Sequence, residues 1–169
     1  MNMLRTTTAV LIPALLLTMS CSSGSKKADD STAAVTTLHF YEHDTGQTSV
    51  DLGTPGEGPG DQFIFSGDVF DRQGGTKLGR TAGQCTTVSG DATSGDVSCT
   101  ETFILDGGQI SIQMLADRAA VFSKGETLPV SIVGGSGKYN KARGDGTAQV
   151  PPEVPNQTDA NFVLNVVTN

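Results

Sequence analysis

At 169 residues and a net charge of −7, the chain has the length of one ordinary domain with a core of its own. Its acidity disfavours nucleic acid and anionic lipid surfaces as partners, because both repel a negative protein. Twenty-one glycines and frequent Thr, against scarce Leu, Lys and Glu, weigh against a helical bundle and favour strands and turns; with no Trp, aromatic recognition rests on seven Phe and two Tyr.

The first segment is a leader. Arg5 precedes an uncharged run from Thr6 to Met19, centred on Ala9 to Leu17. That run is short for a membrane-spanning helix, which needs about 20 apolar residues, and reads as the apolar core of a signal peptide. Leu17-Thr-Met-Ser-Cys21 follows. A small residue before a cysteine is the processing site of a bacterial lipoprotein, with the Cys21 thiol carrying the lipid; an ordinary secretory signal with a chance Cys is the alternative. Ser22 to Ala34 is small and polar, as a flexible tether is. The expected division is therefore a signal peptide at 1–20, a lipidated Cys and tether at 21–34, and a folded domain at 35–169. The expected place is the extracytoplasmic face of the cell membrane, held there by the lipid.

Beyond the tether, period-two alternation recurs. Val35 to His43 puts Leu38 and Phe40 on one face, with His39, Tyr41 and His43 on the other. A long Gly/Pro loop spans Asp44 to Gly60. Gln62 to Phe70 groups Phe63, Phe65 and Val69. Leu78 to Val88 and Val97 to Leu105 flank turn chemistry at Ser89 to Asp96. Asp106-Gly-Gly108 is a tight hairpin turn into Gln109 to Leu115. Ala116 to Thr127 is irregular, or at most one helical turn. Leu128 to Val133, Arg143 to Val150 and Ala160 to Val167 complete eight strands. A closed antiparallel barrel of eight strands hides its edges and encloses space for side chains or one small ligand; a β-sandwich is the structural alternative.

Cys85 and Cys99 are either a disulfide or two buried thiols. In an exported protein the bridge is expected, and folding the third and fourth strands about residue 92 places the two opposite each other. It closes a loop of about 15 residues, worth about 3 kcal/mol in the chain-entropy model.

Glu101 lies in an otherwise apolar and Thr-rich strand. Facing the lumen, its carboxyl would have a raised pKa and act as a general acid; the alternative is an ion pair with Arg80 or Arg143. Tyr41, His43 and Asp44 form a second group. A His beside a carboxylate at a pocket mouth moves protons, whereas the same pair at a strand end merely satisfies loop backbone groups. Glu101, Asp44 and His43 are the candidate catalytic residues, and Tyr41, Phe63, Phe65 and Phe103 the candidate ligand contacts. Other motifs fail. Gly137-Lys138 lacks the remaining P-loop positions. His39 and His43 stand about 13 Å apart on a strand, too far to share a metal. No metal and no cofactor are expected.

The run Gly134-Gly-Ser-Gly-Lys-Tyr-Asn-Lys-Ala-Arg-Gly144 resembles the signature hairpin of dirigent proteins and their allene oxide cyclase-like relatives. Phe40-Tyr-Glu-His-Asp44, Gly67-Asp-Val-Phe-Asp71, Gly79-Arg-Thr-Ala-Gly83, Thr102-Phe-Ile-Leu105 and Ile132-Val-Gly-Gly135 follow that superfamily's order, so the likeness spans about Leu38 to Val167. It implies an eight-stranded antiparallel β-barrel, assembly as a homodimer or homotrimer, and a dry cavity that selects one substrate conformation. In some stereoselective dirigent proteins an Asp follows the glycine turn; Lys138 stands there in this chain and argues against phenoxy-radical coupling. The reading that follows is a membrane-anchored lipoprotein whose barrel binds a lipophilic small molecule. A cofactor-free cyclase, isomerase or stereochemical guide is the alternative.

Overall fold

Alternating residues become strands that bury one side chain in two. The computed structural model describes residues 34–151 and 159–168. The expected signal peptide, Cys21 and the tether up to residue 33 lie outside the described residues. The elements run β1 (Val35–Val50), β2 (Gln62–Phe70), β3 (Lys77–Thr87), β4 (Asp96–Leu105), β5 (Gly108–Asp117), α1 (Arg118–Phe122), β6 (Leu128–Gly137), β7 (Arg143–Gln149) and β8 (Ala160–Val167). Each strand pairs antiparallel with its sequence neighbour, and β1 closes on β8, giving a closed eight-stranded barrel. The barrel, and not the sandwich, is the architecture. Closure gives every strand a partner on both sides over part of its length.

One end of the barrel is filled. Val97, Cys99, Glu101 and Phe103 of β4 point inward in strict alternation, as do Ala160, Phe162, Leu164 and Val166 of β8. Phe103 is fully buried, with ring centroids 5.3 Å from Phe40 and 5.0 Å from Phe162. Ile110, Ile112, Val130 and Ile132 complete this cluster. Burial of each such side chain contributes about 1.5–3 kcal/mol. A second cluster of Cys85, Val97, Cys99 and Val121, with Phe63, Phe65 and Phe122 packed against it, lies where α1 meets the barrel. Asp117 caps α1 by accepting a hydrogen bond from the Ala120 N–H at 2.9 Å. Cys85 and Cys99 are direct partners in the β3–β4 register and form a disulfide.

Two elements run well beyond their sequence-based bounds, the others shifting by only a residue or two. β1 does not end at His43 but runs to Val50, passing a bulge between Asp44 and Gly46. Its first half pairs with β8 and its second with β2. The second half is polar on both faces because it stands at the solvated mouth, so alternation cannot reveal it. The loop therefore spans only 51–61.

β6 likewise extends through the glycine run to Gly137. A register shift between Ser111 and Ile112 leaves Val133 unmatched, and Gly134 to Gly137 pair with β5. At Gly137 the φ is +60°, and a Cβ would sit 2.1 Å from the Gly107 carbonyl oxygen. The Lys138 N–H donates to that same oxygen at 2.8 Å. The signature hairpin thus locks against the β4–β5 turn, which requires glycine at the point of closest approach.

Candidate functional site

The barrel opens where β1, β3 and β4 carry polar residues on their inner faces. An inner pocket of about 60 Å³ has walls from Phe63, Phe65, Ile112, Met114, Val121 and Phe162, and its polar lining includes Glu42, Asp44 and Glu101. An outer basin of about 500 Å³ shares Phe63, Cys85 and Phe122 with it. Gln47, Ser49, Glu57 and Arg118 make the basin wetter. The inner pocket holds a small group or about two waters; the basin takes the body of a small organic molecule.

Register brings the carboxyls together. Glu42 and Asp44 are two apart on β1 and so share the inner face with Phe40. Glu101 enters the lumen from β4. Glycines make the room. Gly67 lies opposite Asp44 in the β1–β2 register, and a Cβ there would meet the Glu42 side chain at 3.2 Å and the His43 carbonyl oxygen at 2.7 Å. Gly83 lies opposite Glu101, and a Cβ there would come within 2.5 Å of the Phe65 ring.

Glu42 and Glu101 are buried, at 2% and 7% exposure. Thr81 Oγ1 donates to Glu101 Oε1 at 2.6 Å, and Glu42 Oε1 is buried with no hydrogen-bond partner. Burial pushes the Glu101 carboxyl up to about 8, with the Asp44 charge adding to the rise, while bonds from Thr81 and Glu42 act the other way. Burial first, then the charges of Glu101 and Asp44, raise Glu42 well above the usual carboxylate range. Two carboxylates in one apolar wall cannot both ionise at neutral pH, so the pair retains a proton there. The groups that set the Glu101 charge state are Thr81, Asp44 and Glu42, rather than the Arg80 or Arg143 of the ion-pair alternative.

The Tyr41, His43 and Asp44 group divides across the strand. Asp44 lines the inner pocket, while Tyr41 and His43 turn to the opposite face and meet Asp159. Tyr41 Oη donates to Asp159 Oδ2 at 2.6 Å, His43 Nδ1 lies 3.0 Å from the same oxygen, and the Asp44 N–H donates to Oδ1 at 3.1 Å. Burial would raise the Asp159 pKa, but these donors outweigh it and hold the carboxylate low. Burial and Asp159 push the Tyr41 hydroxyl up to about 12, and the bond to Asp159 raises His43. This cluster pins β1 to the residues before β8. Phe63 and Phe65 line the pocket, their rings stacked at 5.9 Å. Phe103 instead fills the closed end.

Sequence reasoning passed over Glu42, Asp159 and Arg118. Glu42 was legible in principle, since strict alternation from Phe40 carries it inward. Among the described residues no cluster of His, Cys, Asp or Glu is placed to hold a metal ion.

A family model described as an allene oxide cyclase barrel like domain matches residues 39–164. Among solved structures, a pyocyanin demethylase is similar at 23% identity and TM-score 0.63, covering 78% of this chain and 100% of that one. A Diels–Alderase from Streptomyces koyangensis is similar at 18% identity and TM-score 0.64, over 83% of this chain and 71% of that one. A pterocarpan synthase dirigent protein is similar at 23% identity and TM-score 0.56, over 79% of this chain and 86% of that one. These likenesses establish a shared fold. No curated protein matches the chain.

Proposed function

The chain belongs to the allene oxide cyclase barrel-like family, and from that premise we propose that it is a membrane-anchored, extracytoplasmic lipoprotein whose barrel binds a lipophilic small molecule. The observation that carries the binding reading is the apolar inner pocket with a proton-holding carboxyl pair in its wall. An apolar cavity with a few convergent polar groups is how small-molecule sites are built. The basin receives the ligand's body. The Glu42–Glu101 pair meets its polar end, offering a donor and an acceptor at once. The anchor follows from the Leu17-Thr-Met-Ser-Cys21 processing sequence.

A second reading, a cofactor-free cyclase or isomerase, is favoured by one feature: Glu101 titrates at about 8 and so exchanges protons at neutral pH. An isomerisation needs no net proton. The pair gives a proton to one substrate atom and recovers one from another, while the walls hold one conformation. The similar structures are named for conversions of small organic molecules, which agrees with this reading.

Native mass spectrometry of protein extracted from its own host's membranes tests both parts of the first reading. The expected result is a covalent lipid mass on Cys21 and a second, non-covalent mass lost on activation. A barrel that is consistently empty, and takes up nothing from a panel of hydrophobic compounds, overturns the binding reading. For the catalytic reading, E101Q should lower turnover of an identified substrate by about 100-fold or more. Unchanged turnover in both E101Q and E42Q removes it.

A further inference from the structure

Arg118 has an unusual place. Its backbone N–H is held by the Gly95 carbonyl at 2.9 Å. Its side chain lines the basin at only 12% exposure. One guanidinium nitrogen, Nη2, meets Glu57 and donates to Thr87 Oγ1 at 3.3 Å, and the group lies 5.6 Å from the Phe122 ring centroid. Nε is buried with no hydrogen-bond partner. Removal from water makes the charge costly enough to lower the arginine's pKa. A buried cation with an unused donor on a cavity wall calls for a second acceptor.

Glu57 does not meet Arg118 in order to hold its loop closed. Asp61 does that: Oδ1 accepts from the Leu52 N–H at 2.6 Å and Oδ2 from the Gly58 N–H at 2.8 Å. Asp51 accepts from the Gly56 N–H at 3.1 Å. Gly60 N–H donates to the Thr87 carbonyl, and Thr87 N–H to the Asp61 carbonyl, both at 2.9 Å. With these bonds in place, the Glu57 side chain can swing away without unfolding the loop. They also occupy the two other carboxylates on the basin wall. The remaining charged group there is Arg118, and beside it stand Phe122 and Phe63, their rings 6.1 Å apart and edge to face.

We propose that Arg118 is an anion-receiving subsite: the barrel's ligand is an amphiphile with an apolar, ring-sized body and one carboxylate- or sulfonate-like group, and Glu57 holds the place that this group takes. The body packs on Phe63 and Phe122. The anion displaces Glu57 and pairs with the guanidinium, reaching Nε as well as Nη2 in the two-point geometry that suits arginine. Glu57 then becomes a specificity gate. A neutral ligand leaves it in place, and only an anion competes with it.

This inference rests on the lipophilic-ligand reading, and the test separates the two. Two fluorescent probes with the same rings are titrated into the full chain: anilinonaphthalene sulfonate, which is anionic, and phenylnaphthylamine, which is neutral. In E57Q the sulfonate should bind about 3- to 10-fold tighter, because its competitor is gone. In R118M it should bind about 10-fold weaker or worse. The neutral probe should change less than about twofold in both. E57Q alters an exposed loop side chain, so it keeps the test valid should R118M fold poorly. Neutral-probe uptake with no sulfonate dependence on either residue, or equal shifts of both probes, overturns the anion subsite alone. Failure of both probes to enter the wild-type barrel overturns the subsite together with the reading beneath it.

Discussion

Glu101 shows how one residue in a strand acquires chemistry. Its sequence neighbours say only that a carboxylate interrupts an apolar face. The fold adds burial first and then the nearby Asp44 charge, which outweigh the hydrogen bonds from Thr81 and Glu42 and push it to about 8 from an ordinary 4.5. A carboxyl with a raised folded pKa takes up a proton on folding between those two values. Its contribution to stability is therefore fully present below about 4.5, falls as pH rises, and is lost above about 8, by up to about 1.4 kcal/mol per pH unit. E101Q keeps the shape without the ionisation. Urea unfolding should show wild-type stability falling from about pH 5 to about pH 8 more steeply than that of E101Q, which becomes the more stable of the two at the alkaline end. Parallel pH profiles would mean that Glu101 ionises as an exposed glutamate does. His43, by contrast, was legible as a partner of a carboxylate but not of which one. Asp159 lies 116 positions away and only barrel closure delivers it.

At the scale of elements, the β3–β4 hairpin was the most readable part of the chain. Turn chemistry set its centre, and counting outward placed Cys85 against Cys99, as the register shows. The bridge does more than shorten the unfolded chain's freedom. Cys85 lines both cavities, so the disulfide is also a piece of wall. The paired substitution Cys85→Ala and Cys99→Ala should lower unfolding free energy by about 3 kcal/mol, read from urea midpoints under oxidising conditions. An unchanged midpoint would show that the bridge does not constrain the unfolded state. The second half of β1 and the glycine run of β6 were less readable. Both are strands whose side chains never select a face, one because the mouth is wet and the other because glycine has none to place. Backbone pairing with β2 and β5 makes them strands.

At the largest scale the described residues form a barrel with one packed end and one open end, and aromatic side chains mark both. Phe40 and Phe103 fill the first, Phe63, Phe65 and Phe122 surround the second, and Phe162 stands between them, packed on Phe103 and lining the inner pocket. Phe103→Ala should cost about 3–5 kcal/mol of stability while leaving neutral-probe affinity nearly unchanged, because it empties the closed core. Phe63→Ala should do the reverse, weakening the probe with a smaller loss of stability, because Phe63 is half-buried on the pocket wall. The opposite pattern, measured by urea unfolding and probe titration, would invert the assignment of open and closed ends. Alternation and turn residues, both local properties, were enough by themselves to mark eight strands and the centre of the β3–β4 hairpin that sets Cys85 opposite Cys99. The order in which the folded site uses those strands was not local. Whether Glu101 meets an arginine or another carboxylate, where Asp44 parts from His43, and that Glu57 reaches Arg118 depend on strands brought together by closure. Only the tertiary structure decided them, because the energy of a charge in an apolar wall is set by what stands across the lumen and not by its neighbours in the chain.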